Sequence, residues 1–376
     1  MKETALYVHI PFCDHKCIYC DFYSIITSDN ISPFLHSLKR EIDYYAGLYS
    51  EERSFISIYF GGGTPSLMEP AYISDIINYL KQKFKINPEA EITLETNPGT
   101  VDKNKLKEFL KTGINRISIG IQSFLDDELK FLTRIHNSET AINTVLNARE
   151  AGFENISADL IFNLPGQTKQ KWMENLKTAV SLPITHLSAY SLILERGTIL
   201  NKMVLDKKVI LQDDDHDADL YEYTMDFLEN NNFLQYEVSN FCIPGYECRH
   251  NNAYWNYTDY LSFGTSAHSF ADGKRWWNFS SLKRYITEIE KNNNAAAGFE
   301  YLTKEQQFNE YIMLALRSNG LNRIEFEKKF NDNWINEKYD YFIELKNQNL
   351  LNIDGQIVRL TKKGYAVCDE ILGNLL

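Results

Sequence analysis

The sequence predicts an α/β protein: a partial parallel (β/α)6 barrel followed by a small C-terminal helical, winged-helix-like domain. Three observations carry this. Up to about residue 193, short β-like runs alternate with helical stretches, the order of parallel βαβ units. Glycines and polar residues fall just after those runs, at the face where such barrels place their sites. Beyond residue 200 the alternation stops, and residues 303–376 read as three helices and a hairpin around Ile353–Ile357.

Each element has its own signal. Leu6–Ile10 reads as a strand that delivers a cysteine-rich loop. Apolar spacing from Ser32 to Tyr49 predicts a helix, with Ser32 as N-cap before Pro33. Ser54–Phe60 is a strand broken by Gly61, Gly62 and Gly63, and Ala71–Phe84 a helix. Glu91–Thr96 is a strand ended by Asn97-Pro98-Gly99, and Lys103–Lys111 a helix stopped by Gly113. A strand at Arg116–Gln122 and a helix at Ser138–Ala151, ended by Gly152, come next. Asn155–Phe162, Lys169–Ser181 and His186–Ile193 complete the alternation as strand, helix and strand. Asp213–Asp217 reads as a solvated helix start. Tyr236–Asn278 is rich in aromatics, Asn and Gly, without a clear helix, and Asn292–Gly298 reads as a linker. The expected domains are therefore 1–290 and 300–376.

Composition narrows the function classes. A net charge of −12 argues against a general nucleic-acid binder, which needs a basic stripe. No run approaches the roughly 20 apolar residues of a membrane span. The N-terminus lacks a signal-peptide pattern, so clustered thiols point to a reducing cytoplasm. Most of the plentiful Tyr and Phe belong to the core, leaving some for a flat, aromatic-loving ligand.

Cys13, Cys17 and Cys20 carry the sharpest chemistry, in the spacing C-x3-C-x2-C. Three thiolates on one short loop can ligate three irons of a [4Fe–4S] cluster, which takes four cysteines when fully protein-bound. The fourth iron then stays open, by the logic that separates catalytic from structural zinc sites. A partial zinc site competes with this reading, but no second C-x2-C is present. Cysteine is also too sparse for a disulfide framework.

Gly61-Gly-Gly-Thr-Pro65 follows a strand directly, and glycines let a ligand approach the backbone. Glu95, Gln122 with Ser123, Arg134, and Asp159 before Leu164-Pro-Gly-Gln167 would bring carboxylates, an amide and a guanidinium to one mouth. Any one of them could be a satisfied structural group; the set is harder to dismiss.

With these residues assembled, the chain resembles the radical SAM coproporphyrinogen oxidase-like family, from Tyr7 to the C-terminus. The motifs are Tyr7-Val-His-Ile-Pro-Phe-Cys13, the triple cysteine, Gly-Gly-Gly-Thr-Pro, Asp159–Thr168 and Ser262–Ser269. The resemblance implies a radical SAM barrel. It makes Cys13, Cys17 and Cys20 the cluster ligands and has S-adenosylmethionine (SAM) chelate the open iron. It places Tyr7, Tyr19, Gly62, Gly63, Thr64, Glu95, Gln122, Arg134 and Asp159 around SAM. Physically, Arg134 can pair a carboxylate, and acidic groups can accept ribose hydroxyls.

Two branches of that family differ in function. The dehydrogenase branch decarboxylates coproporphyrinogen III after the reduced cluster cleaves SAM. It carries a further cysteine two residues after the third ligand, where this chain has Phe22, and a longer N-terminal extension. The haem-chaperone branch is similar to this chain at that point. It also has a motif like His250-Asn-Asn-Ala-Tyr-Trp255, tied to haem. His250 is thus the candidate haem ligand, with Tyr254 and Trp255 as packing partners. Without the resemblance, a lone His beside aromatics is more often structural. A metal site at Cys242, Cys248 and His250 lacks an evident fourth ligand, His268 is structural or faces a tetrapyrrole, and Cys368 reads as core.

The expected function is a cytoplasmic haem chaperone, soluble or peripheral to the membrane. It would bind a [4Fe–4S] cluster, SAM and haem, and hand haem to acceptors including membrane-bound respiratory proteins. Oxygen-independent coproporphyrinogen III dehydrogenase is the rival. A winged-helix regulator fits only the tail, and Glu325–Phe330 is too mixed in charge for a recognition helix.

Overall fold

The computed structural model describes residues 1–26, 29–331 and 333–376. The elements run β1 (Lys2–Ile10), α1 (Ile31–Tyr49), β2 (Arg53–Gly62), α2 (Pro70–Lys83), β3 (Ile86–Thr96), α3 (Lys103–Lys111), β4 (Arg116–Gln122), α4 (Asp126–Phe131), α5 (Ser138–Ala151), β5 (Asn155–Phe162), α6 (Lys169–Ser181) and β6 (His186–Ser191). Then come α7 (Ile199–Leu205), α8 (Asp214–Glu229), β7 (Leu234–Glu237), β8 (Asn240–Cys242), α9 (Arg249–Trp255), β9 (Asp259–Phe263), β10 (His268–Ala271), β11 (Lys274–Asn278), α10 (Leu282–Asn292) and β12 (Ala296–Tyr301).

Strands β1 to β6 pair in sequence order, all parallel, so the six βα units of the sequence form one curved wall. At one edge β9 adds parallel to β1, and β10, β11 and β12 follow antiparallel. At the other edge β8 and β7 close antiparallel onto β6.

Alternation along a strand decides what faces the interior. On β4, Ile117, Ile119 and Ile121 are fully buried in the apolar core. Their neighbours Arg116, Ser118, Gly120 and Gln122 line an internal cavity. The wall is thus greasy outward, under its helices, and polar inward. Barrel interiors are more often packed with branched apolar side chains. Several helices start on side-chain caps: Asp102, Asn137, Thr168 and Asp213 each accept a backbone N–H from their first turn. The acidic run at 213–217 is indeed a helix start, though Asp217 also accepts the Ser191 hydroxyl at 2.6 Å.

Three local expectations are corrected. Asn30, not Ser32, occupies the N-cap of α1, and Ser32 lies within the first turn. Tyr236–Asn278 does contain a helix, α9, two turns long and too short for periodicity to reveal. The expected linker at 292–298 holds the end of α10 and the start of β12, whose Gly298 pairs with Trp277. A Cβ on Gly298 would stand 2.5 Å from the Trp277 ring, so the residue that looked like linker glycine admits an indole.

The tail comprises α11 (Lys304–Leu316), β13 (Leu321–Asn322), α12 (Arg323–Phe330), α13 (Trp334–Glu337), α14 (Tyr339–Asn347), β14 (Leu351–Asp354), β15 (Ile357–Leu360), α15 (Lys362–Ala366) and α16 (Cys368–Leu375). Its three-stranded sheet and helices enclose a separate apolar core, with Cys368 inside as expected. Thr303 opens α11 with a capping box to Gln306.

Candidate cofactor site

A cavity of about 460 Å³ opens at the C-terminal end of the parallel strands. Cys13, Cys17, Tyr19, Cys20, Gly62, Gly63, Thr64, Glu95, Gln122, Arg134 and Asp159 all line it. Tyr7, His250, Tyr254 and Trp255 do not. Sequence reasoning missed Tyr59, Asn97, Arg116, Ser118, Ser188, Tyr190 and Asn251, which also line it. Ser118 and Arg116 could have been found by extending the inward register of β4 back from Gln122.

A chain of polar contacts links two of the cysteines through the cavity wall. Cys13 Sγ lies 3.2 Å from Thr64 Oγ1, which accepts from Asn97 Nδ2 at 2.8 Å. Asn97 Oδ1 accepts from Arg134 Nη2 at 2.7 Å, and Arg134 Nη1 donates to Cys17 Sγ at 3.6 Å. The guanidinium also donates to the Gly120 carbonyl at 2.7 Å. Arg134 is therefore a strut beside Cys17 rather than a free arm, and its Nε remains without a partner. The Cys20 thiol is pushed up, first by desolvation.

The glycine run serves this wall. A Cβ on Gly61 would meet the Tyr7 ring at 2.9 Å, one on Gly62 the His9 ring at 2.6 Å, and one on Gly63 the Phe12 carbonyl oxygen at 2.5 Å. Much of the space the glycines open is thus filled by β1 and the start of the cysteine loop. His9 fixes that loop further. Its Nε2 donates to the Tyr23 carbonyl at 3.0 Å, which leaves Nδ1 to accept from the Tyr7 hydroxyl at 3.2 Å. Burial lowers the His9 pKa to about 4, so the ring is neutral at pH 7.

Two carboxylates face inward. Glu95 accepts from the Tyr59 hydroxyl at 2.9 Å and from Gly62 N–H at 3.2 Å. Asp159 accepts from Ser118 at 3.1 Å to both oxygens, and from Ser157 at 3.3 Å. Burial raises both pKa values, that of Glu95 to about 7. Gln122 has φ +71°, beside a register shift between β4 and β5, which turns it out of the regular pleat at the mouth.

His250 sits elsewhere. It is 1% exposed on α9, stacked on Tyr59 with ring centres 4.9 Å apart. Nδ1 is 2.9 Å from Ser57 Oγ, and Nε2 is 2.9 Å from the Tyr254 hydroxyl. Burial lowers its pKa to about 3. Both ring nitrogens are thus in hydrogen-bond contact with hydroxyl groups, one from β2 and one from the next turn of α9. Glu91 explains the position: its carboxylate accepts the backbone N–H of Arg249 at 3.1 Å and of His250 at 3.2 Å, anchoring the start of α9.

The comparisons with known proteins agree with this architecture. The Radical SAM superfamily matches residues 7–179, and the HemN C-terminal domain matches residues 302–367. A Lactococcus lactis protein named heme chaperone HemW is 34% identical over 379 residues, covering 100% of this chain and 98% of its own. The chain belongs to the HemW family of radical SAM proteins. A second HemW, from Bacillus subtilis, is 33% identical over 99% of both chains. Among solved structures, the Escherichia coli coproporphyrinogen III oxidase HemN, titled a radical SAM enzyme, superposes with a TM-score of 0.83 at 25% identity. That match covers 100% of this chain and 90% of HemN.

The radical SAM fold of the HemW family implies a [4Fe–4S] cluster and SAM. The residues present fit both. Cys13, Cys17 and Cys20 are free thiols, part-buried on one cavity wall. Among the described residues no three His, Cys, Asp or Glu side chains are gathered on one ion. A cluster does not require that, since each cysteine takes a different iron. Thr96 Oγ1 and Arg134 Nε, both on the cavity wall, are buried without partners, leaving polar capacity for a ligand.

Proposed function

We propose that this protein is a haem chaperone that carries a [4Fe–4S] cluster on Cys13, Cys17 and Cys20 and binds SAM in the barrel cavity. It passes haem to acceptor proteins, membrane-bound respiratory ones among them. When bound, cluster and SAM supply one-electron chemistry. Thr64, Asn97 and Arg134 brace Cys13 and Cys17 around them. Glu95 and Asp159 are suited to accepting hydroxyls, and Gln122 offers an amide at the mouth. Haem enters the reading through the family, whose members are named for it along nearly the full length of both chains.

The observation that carries the chaperone reading over dehydrogenation is Phe22. It lines the cavity mouth where the dehydrogenase branch has a cysteine, and is 62% exposed. A phenyl ring cannot donate a hydrogen atom or proton as a thiol does. The rival reading draws on the likeness to HemN over the whole of this chain. A cytoplasmic protein at most peripheral to the membrane is consistent with the helices, none of which, among the described residues, is long and apolar enough to cross one. Anaerobic reconstitution, followed by parallel assays of haem binding and coproporphyrinogen III conversion, separates the two.

A further inference from the structure

The backbone between the second and third cysteines is gripped from two sides. Cys20 N–H donates to the Cys17 carbonyl at 3.2 Å, which closes a turn around Ile18 and Tyr19. That bond uses neither polar group of the Ile18 backbone. Ile18 N–H donates instead to Thr133 Oγ1 at 3.2 Å, and the Ile18 carbonyl accepts from Leu200 N–H at 2.9 Å. Thr133 Oγ1 also lies 3.4 Å from His15 Nε2, and a hydroxyl, with one proton and two lone pairs, can serve both neighbours. One side chain therefore meets the loop on either side of Cys17. The next residue, Arg134, reaches Cys17 Sγ itself.

The backbone that presents this hydroxyl is strained. Thr133 has φ +56°. Among the described residues twelve non-glycine residues have positive φ, and Thr133 alone of them is β-branched. A branched side chain is an outlier there, because its two Cβ substituents crowd the backbone. The turn explains the conformation but not the residue. α4 ends on Leu132, Thr133 N–H reaches back to the Lys130 carbonyl at 3.1 Å, and Arg134 N–H to that of Leu129 at 2.9 Å. At such a helix end the left-handed position is usually glycine or asparagine. Gly152 after α5, Asn293 after α10 and Asn331 after α12 follow that rule. Glycine at 133 would relax the turn and remove the hydroxyl.

We propose that Thr133 is a positioning residue for the iron–sulfur cluster: its hydroxyl fixes the Ile18 backbone, and with it the placement of Cys17 relative to Cys20, and the strained threonine is kept for that hydroxyl. It acts through the loop backbone, not on the thiols. This rests on the reading of Cys13, Cys17 and Cys20 as cluster ligands.

The test uses the full chain, reconstituted anaerobically, with three readouts: the rate of cluster loss to an iron chelator, the electron paramagnetic resonance spectrum of the reduced cluster, and the denaturation midpoint of the cluster-free protein. Thr133→Gly removes strain and hydroxyl together; Thr133→Ser keeps the hydroxyl without the branch. Thr133→Gly should lose its cluster about fivefold faster or more, the loss of roughly one hydrogen bond, with a shifted spectrum. Its cluster-free midpoint should be unchanged or higher, since the strain is gone. Thr133→Ser should restore the spectrum and stay within about twofold of the original rate. Cluster loss at the original rate in Thr133→Gly would overturn the inference. So would Thr133→Ser failing like Thr133→Gly, which would assign the effect to the methyl group. A lowered cluster-free midpoint in Thr133→Gly would overturn it too, because the hydroxyl would then serve the fold. If the unmodified protein takes up no cluster, or Cys17→Ser loads one fully, the ligand reading itself fails and takes the inference with it.

Discussion

The imidazole of His9 occupies the space over Gly62: a Cβ there would lie 2.6 Å from His9 Cε1. Gly62 also has φ +114°, which an L side chain rarely adopts. His9 in turn holds Tyr23, just past the third cysteine, so the glycine run and the cluster loop are mechanically one unit.

Gly62→Ala should therefore cost more than a surface change, about 2 kcal/mol or more, because steric overlap and backbone strain add. Chemical denaturation checks the loss. Anaerobic reconstitution should also show reduced cluster loading, since the alanine displaces His9 and with it the loop.

Cys13→Ser, Cys17→Ser and Cys20→Ser should each abolish cluster absorbance. Cys248→Ser should keep it, because Cys248 is fully buried, 3.3 Å from Glu91 Oε1, and absent from the cavity wall. Full cluster content in the Cys17→Ser protein would remove the basis of the site.

The parallel wall was legible because its strands alternate cleanly. Ile117, Ile119 and Ile121 against Ser118, Gly120 and Gln122 mark both the strand and its polar inner face. Gly152, with φ +109° after α5, marks a helix end by the same local logic. Tertiary information was not legible. Nothing local shows that Glu91 anchors α9, or that Gly298 lies against Trp277, so a helix and a strand read as irregular chain. His250 illustrates the limit best. Its motif marks it as a candidate ligand, but nothing local shows that its ring also meets Ser57 from strand β2, alongside Tyr254 one turn along α9.

SAM affinity should depend on the inward polar face. An Asp159→Ala/Gln122→Ala double variant should bind SAM more weakly by roughly 1–3 kcal/mol, measured by calorimetry. Unchanged affinity would remove both residues from the binding surface.

The contribution of Glu41 to stability should fall as pH rises through the weakly acidic range, against the opposite trend from buried neutral histidines such as His9 and His250. Glu41 is fully buried, accepting from Gly264 N–H at 2.9 Å, Tyr285 at 2.6 Å and Asn278 at 2.5 Å. Burial still raises its pKa to about 7, against 4.5 for an unperturbed Glu. The folded chain then holds a proton that the unfolded chain releases, so stability is greatest below about pH 4.5 for this group and declines towards pH 7. The contribution is on the order of 3 kcal/mol. Glu41→Gln should remove this declining component from the pH–stability profile; a profile unchanged in slope would show that Glu41 titrates alike in the folded and unfolded chain.

The central claim is haem binding without coproporphyrinogen III dehydrogenation. Its most direct test incubates the reconstituted, reduced protein with SAM and coproporphyrinogen III without oxygen and analyses the products by mass, alongside a haem titration of the same preparation. The account predicts a saturable Soret change and no protoporphyrinogen IX. Protoporphyrinogen IX formed over many turnovers would contradict it and make this protein a dehydrogenase.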